Sequence, residues 1–180
     1  EVRNNIISYT REQITELGFV NSSVKKLPKG TVLIAMIGEG KTRGQSSVLD
    51  IEATTNQNVA AIVIEHGYIN PKFLWYWLQK EYKKNREKGA GSGPQALNCQ
   101  RVRELKFIVP SIEEQNEIVN VLERLMEQEE QATLSIERVL EQVVNIKKSI
   151  LSKAFRGELG TNNLKEESSI ELLKRIIEDN

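Results

Sequence analysis

The sequence predicts an α+β fold: a small mixed β-sheet domain followed by one long α-helix that pairs with another helix as a coiled coil. Three observations lead there. Two short apolar, partly β-branched runs, 31–37 (TVLIAMI) and 58–65 (NVAAIVIE), are separated by polar, loop-like stretches and read as buried strands. No Gly or Pro occurs between Pro110 and Gly157. Within that span Ile118, Leu122, Leu125, Ala132, Ile136, Val139, Val143, Ile146 and Ile150 follow one another at heptad spacing, with Glu129 as the one charged break.

The elements follow in order. Residues 1–30 are polar and irregular, with one or two helical turns expected over Thr10–Leu17 and Gly18 as their stop. Pro28-Lys29-Gly30 signals a turn into the first strand. Residues 38–47 are rich in Gly and polar groups and read as a loop, and 47–53 (SVLDIEA) alternates moderately. After the second strand, Pro71 suits the first position of a helix over 71–88. That helix places Phe73, Leu74, Trp77, Leu78 and Tyr82 on one side and ends in a basic segment of Lys80, Lys83, Lys84, Arg86 and Lys88. Residues 89–94 (GAGSGP) form a loop, and 105–110 (LKFIVP) reads as a third short strand closed by Pro110.

Ser111 and Glu114 make a capping box, which starts the long helix. Gly157 suits the position just past its end. A helix over 112–156 is roughly 65 Å long at about 1.5 Å per residue. Its apolar seam needs a partner helix. The rest of the chain offers only a short helix over 168–178, with its own capping box at Ser168 and Glu171, so the partner is expected in another molecule. The expected division is a sheet domain over 1–110, the long helix over 111–157 and a tail over 158–180.

Composition narrows the function. The chain has 180 residues and balanced formal charge, 25 basic against 25 acidic. The balance is uneven along the chain: residues 1–110 carry 16 Lys/Arg against 10 Asp/Glu, and residues 111–180 carry 9 against 15. A basic front suits a polyanion, and an acidic back suits protein contacts. The single cysteine, Cys99, excludes an internal disulfide framework, points to a reducing compartment and is expected to be a small buried hydrophobe. The single histidine, His66, sits beside Gly67 in a turn, and no His/Cys/carboxylate group has metal-ligand spacing. No apolar run reaches membrane-spanning length, so no membrane partner is expected.

The stretch 33–47 (LIAMIGEGKTRGQSS) fits a loose phosphate-binding loop, with Ala35 in place of the first glycine before Gly40-Lys41-Thr42. Such a loop must open a helix whose amides hold phosphate. Here Gly44 falls in the would-be first turn and no helical period follows. The same residues serve another chemistry. Lys41, Arg43 and Gln45 alternate on a glycine-hinged segment leaving a strand. Lys and Arg contact phosphates, Arg also takes guanine edges, and Asn or Gln takes adenine edges. Asn56 and Gln57 precede the second strand, and Gln95, Asn98 and Arg101 follow the glycine-rich loop. These eight are the candidate DNA-contacting residues, although turn capping alone accounts for any single Asn or Gln among them.

Three blocks carry a family resemblance: LPKGTVLIAMIGEGKTRGQSSVLDIEATTNQNVAAI (27–62), LNCQRVRELKFIVPSIEEQNEIVNVLERL (97–125) and KKSILSKAFRGEL (147–159). Together they resemble the specificity subunit of type I restriction–modification systems. The resemblance covers about residues 27–159, and its most specific part is the strand ending in Pro110, then Glu113-Glu114-Gln115 and the heptad helix.

The resemblance implies a non-catalytic subunit whose target recognition domains each read half of a split sequence in double-stranded DNA. Conserved helices join such domains as an antiparallel coiled coil that spaces the half-sites. It implies methyltransferase and restriction subunits as partners, with S-adenosylmethionine, ATP and Mg held there and no cofactor in this chain, and a prokaryotic cytoplasm as the setting. A complete subunit carries two recognition domains and two helical regions, whereas this chain carries one of each. The chain also lacks several dozen residues that usually precede the segment matching Glu1–Leu17, so its recognition domain is expected to be N-terminally incomplete. A homodimer through the long helix would restore two domains. A specificity module of a fused restriction–methylation enzyme and a coiled-coil adaptor without DNA binding remain as alternatives.

Overall fold

The computed structural model describes residues 1–38, 40–87, 97–160 and 168–179. Its elements are β1 (Ile6–Ile7), α1 (Glu16–Val20), β2 (Val32–Ala35), β3 (Ser46–Leu49), β4 (Val59–Ile62), α2 (Pro71–Lys80), α3 (Tyr82–Glu87), α4 (Cys99–Arg103), α5 (Ile112–Phe155) and α6 (Ser169–Glu178). The class is α+β, as expected. The chain divides into two compact units, Glu1–Arg124 and Leu125–Asn180, and the division falls inside α5 rather than before it.

In the first unit the strands form one sheet in the order β1-β3-β2-β4. β2 runs antiparallel to both β3 and β4, and β1 runs parallel to β3, so the sheet is mixed. β2 is central and covered on both faces, which is why its sequence is a continuous apolar run rather than an alternating one. Val32 and Ile34 point into a cluster with Met36, Val48, Ala60, Leu74, Trp75, Leu78 and Leu97. Leu33 and Ala35 point the other way, into a cluster with Val2, Ile7, Leu27 and Leu49. α2 covers the first face, and the buried Trp75 indole donates to the Ser46 carbonyl at 3.1 Å.

Several elements differ from the sequence reading. The first helix is α1, one turn later than expected: Thr15 caps it by accepting from the Gly18 amide, so Gly18 lies inside the turn it was expected to end. The helix expected over 71–88 is two helices, broken at Glu81. Residues 105–110 form no strand. Leu105 and Phe107 pack on the core while Ile108 is 84% exposed, but among the described residues no strand pairs with their backbone. Cys99 is exposed rather than buried, because it opens the short surface helix α4. β1 and α4 had no counterpart in the sequence reading.

α5 starts and stops where its signals lie. The Glu114 amide donates to Ser111 Oγ at 3.3 Å. At the other end Gly157 takes a φ of +73°, the Gly157 amide donates to Ala154 and the Glu158 amide to Lys153, a paired closure of the last carbonyls. The first turns of α5 are fastened to the first unit by Gln115, which is 0% exposed. Its Oε1 accepts the Asn70 amide at 2.9 Å, and its Nε2 donates to the Tyr68 and Pro110 carbonyls at 3.0 and 2.9 Å. Asn70 in turn caps α2, accepting the Lys72 amide at 2.8 Å. One buried amide side chain therefore joins the start of α2, the chain before α5 and α5 itself. Lys72 and Glu123 form an ion pair nearby.

In the second unit every described residue is exposed. α6 carries the capping box expected from Ser168 and Glu171.

Candidate nucleic-acid interface

The residues singled out from sequence lie on three separate segments, and β2 explains how they meet. β2 ends at Ala35, next to Met36, and its antiparallel neighbours begin there. The Ala35 amide donates to the Gln45 carbonyl at 2.9 Å and the Gly44 amide to the Ala35 carbonyl at 2.8 Å, which closes the loop carrying Lys41, Arg43 and Gln45. The Met36 amide donates to the Asn58 carbonyl at 2.8 Å, which brings in the Asn56-Gln57 turn. The Leu97 amide donates to the Met36 carbonyl at 3.0 Å, which brings in Asn98 and Arg101. Three polar segments thus converge at one end of one strand.

The individual side chains differ in availability. Lys41, Asn56, Gln57 and Asn98 are exposed, whereas Arg43, Gln45 and Arg101 are half-buried. Asn56 Oδ1 accepts the Asn58 amide at 3.0 Å, and Asn98 Oδ1 accepts the Arg101 amide at 2.8 Å as the cap of α4. Those two oxygens are committed to turn and cap geometry, the common use of Asn at such positions. Gln95 lies outside the described residues.

Residues 40–44 form a turn that feeds directly into β3. Lys41-Thr42 opens no helix, so the amide array of a phosphate-binding loop is missing from this stretch. The turn rests on α3 instead. The Tyr82 hydroxyl donates to the Lys41 carbonyl at 2.6 Å, and Arg86 donates to the Arg43 carbonyl at 3.4 Å. Neither was singled out as a contact to this loop in the sequence, because only the fold brings together residues that lie 41 and 43 positions apart in the chain. Among the described residues no group of three or more His, Cys, Asp or Glu is placed to hold a metal ion, and no helix is long and apolar enough to cross a membrane.

The seam residues also divide. Ile118 and Leu122 are half-buried within the first unit, beside the buried Val119. Leu125, Ala132, Ile136, Val139, Val143, Ile146 and Ile150 are exposed.

Comparison with known proteins identifies the family. The family model described as the type I restriction modification DNA specificity domain matches residues 2–142. The specificity subunit of the type I restriction enzyme EcoBI from Escherichia coli is 31% identical over 138 residues, covering 74% of this chain and 28% of that subunit. The StySPI specificity subunit from Salmonella potsdam is 35% identical over 68 residues, 38% of this chain and 15% of that subunit. A solved chain from a study of the complex assembly and conformational transition of the type I R-M system aligns with a TM-score of 0.59 at 23% identity, covering 75% of this chain and 33% of that one. This chain therefore spans about a third or less of the length of these relatives.

Proposed function

The chain belongs to the type I restriction–modification DNA specificity family, and from that premise we propose that it reads one half-site of a bipartite target in double-stranded DNA. It performs no chemistry itself and recruits methyltransferase and restriction subunits, which hold S-adenosylmethionine, ATP and Mg. The observation that carries this reading is the convergence of the 41–45, 56–57 and 98–101 segments at the end of β2. A rigid sheet end holding several polar loops suits base-edge and phosphate contacts together. The half-buried Arg43 is the candidate base reader, and the exposed Lys41 is the candidate phosphate contact.

The exposed seam from Leu125 to Ile150 supports a second part of the proposal. It pairs with the same seam of a second copy as an antiparallel coiled coil, giving two recognition units related by a two-fold axis and a palindromic split target. Sedimentation in the micromolar range tests this directly: a dimer is expected, and a monomer overturns it.

Salt-dependent binding to a mixed-sequence duplex tests DNA reading. Affinity should fall steeply with salt, and Lys41→Ala should lower the slope of log affinity against log salt by about one. A coiled-coil adaptor would bind no duplex at any salt, and that result would remove the proposal.

A further inference from the structure

We infer that Tyr82 and Arg86 are positioning residues that hold the 41–44 turn in its reading conformation. The inference rests on the proposal that this turn meets DNA. Three contacts carry it. The Tyr82 hydroxyl donates to the Lys41 carbonyl at 2.6 Å. The Arg86 guanidinium donates to the Arg43 carbonyl at 3.4 Å and to the Tyr82 hydroxyl oxygen at 3.4 Å. The Tyr82 ring lies along Gly44, where an added Cβ would meet the ring carbons at 3.4 and 3.6 Å and where φ is +85°.

The hydrogen bonds fall on the backbone of the two residues proposed to face DNA. Among the described residues the turn's backbone bonds are Ala35–Gln45, Gly44–Ala35 and Gln45–Thr42, at its β3 end. α3 adds contacts on the Lys41 and Arg43 carbonyls, within the turn itself. An ordered loop loses less conformational entropy on binding and offers its side chains at fixed angles, and fixed angles are what base-edge readout needs. The aromatic residue supplies a rigid platform under Gly44, and the guanidinium supplies directional donors that a lysine cannot reproduce. α3 therefore acts on sequence preference through the turn, while its charge acts on general attraction to the duplex.

The test separates these effects. The chain is first used to enrich sequences from a pool of duplexes with a randomised centre. Wild type, Tyr82→Phe, Arg86→Lys, Lys41→Ala and Arg43→Ala are then measured on the most enriched duplex and on a scrambled one, across a salt series, with a thermal melt of each protein. Tyr82→Phe keeps the ring, and Arg86→Lys keeps the charge. Both should cut the preference for the enriched duplex by roughly 3–10-fold while leaving the scrambled-duplex affinity, the salt slope and the melting midpoint unchanged. Unchanged preference in both, with binding weakened by Lys41→Ala and Arg43→Ala, would overturn the inference and leave the loop's DNA role standing. Loss of preference only in step with a lowered melting midpoint would also overturn it, since that is a folding effect. A wild-type chain that enriches no sequence, or Lys41→Ala and Arg43→Ala variants that bind as wild type, would remove the proposal about the loop itself and this inference with it.

Discussion

Strand β2 and the second half of α5 carry comparable runs of aliphatic side chains and end in opposite surroundings. Val32, Leu33, Ile34 and Ala35 are 0–4% exposed, whereas Ile136, Val139, Val143, Ile146 and Ile150 are 51–60% exposed. The difference lies in what the chain provides around them. β2 has a strand on each side and apolar clusters on both faces, all from within Glu1–Arg124. The seam of α5 has no such cover from the described residues of its own unit. Hydrophobic pattern thus specifies that a residue seeks cover and leaves open whether the same molecule supplies it. In the first unit a truncation should be read as stability, and in the second as association.

The sharpest way to break that contrast is a pair of equal truncations. Ile34→Ala should lower the unfolding free energy of the first unit by about 4 kcal/mol, the usual cost of emptying a closed core site. Ile136→Ala should leave the same urea transition nearly unmoved. Equal costs for the two would mean that β2 is less enclosed, or the seam better covered, than the burial indicates.

Next in size is the junction. Gln115→Ala strands the Asn70 amide and the Tyr68 and Pro110 carbonyls and should cost on the order of 3 kcal/mol in the same experiment. A value near zero would show that water replaces the side chain without loss. Replacing both Ile136 and Val143 with Asp should change the unfolding free energy of the first unit by less than about 0.5 kcal/mol, as surface changes do. The same double variant should abolish self-association in sedimentation, so one protein reports on both halves of the comparison.

The smallest expected effect concerns Tyr76. Burial pushes its phenol above the ordinary value of 10.0, the Glu123 carboxylate adds to the rise, and Lys72 opposes it. The folded state therefore favours the neutral phenol. That contribution is complete below pH 10 and is lost as the pH climbs through the raised value. Tyr76→Phe should flatten the alkaline decline in stability slightly and leave neutral pH unchanged. Parallel alkaline profiles for the two proteins would contradict this.

Much of this was legible in the sequence because it was local. The heptad spacing, the Ser111 and Ser168 starts and the Gly157 stop each depend on neighbours within one or two turns, and the helices they mark are present. β2 was legible for a different reason: a strand covered on both faces must be apolar throughout. β1 was not, since it has two residues and is held from far along the chain. Ser47 Oγ donates to Asn5 Oδ1 at 2.7 Å, and the Ser46 amide donates to Asn4 Oδ1 at 2.9 Å. Residues 105–110 misled because a short apolar run ended by a proline reports burial and not a hydrogen-bonded neighbour. At the candidate interface, residue type indicated which segments were polar. Their convergence at Met36, and the placement of Tyr82 and Arg86 against the turn, depended on contacts that no short window contains.

The buried Gln115 has a kinetic consequence. The Asn70 amide hydrogen is held by a side chain that sits in the first turns of α5. It should exchange with deuterium from solvent only when that turn lifts away from the start of α2. The exchange rate of this one amide would then serve as a clock for opening of the junction, readable residue by residue while the sheet amides stay protected.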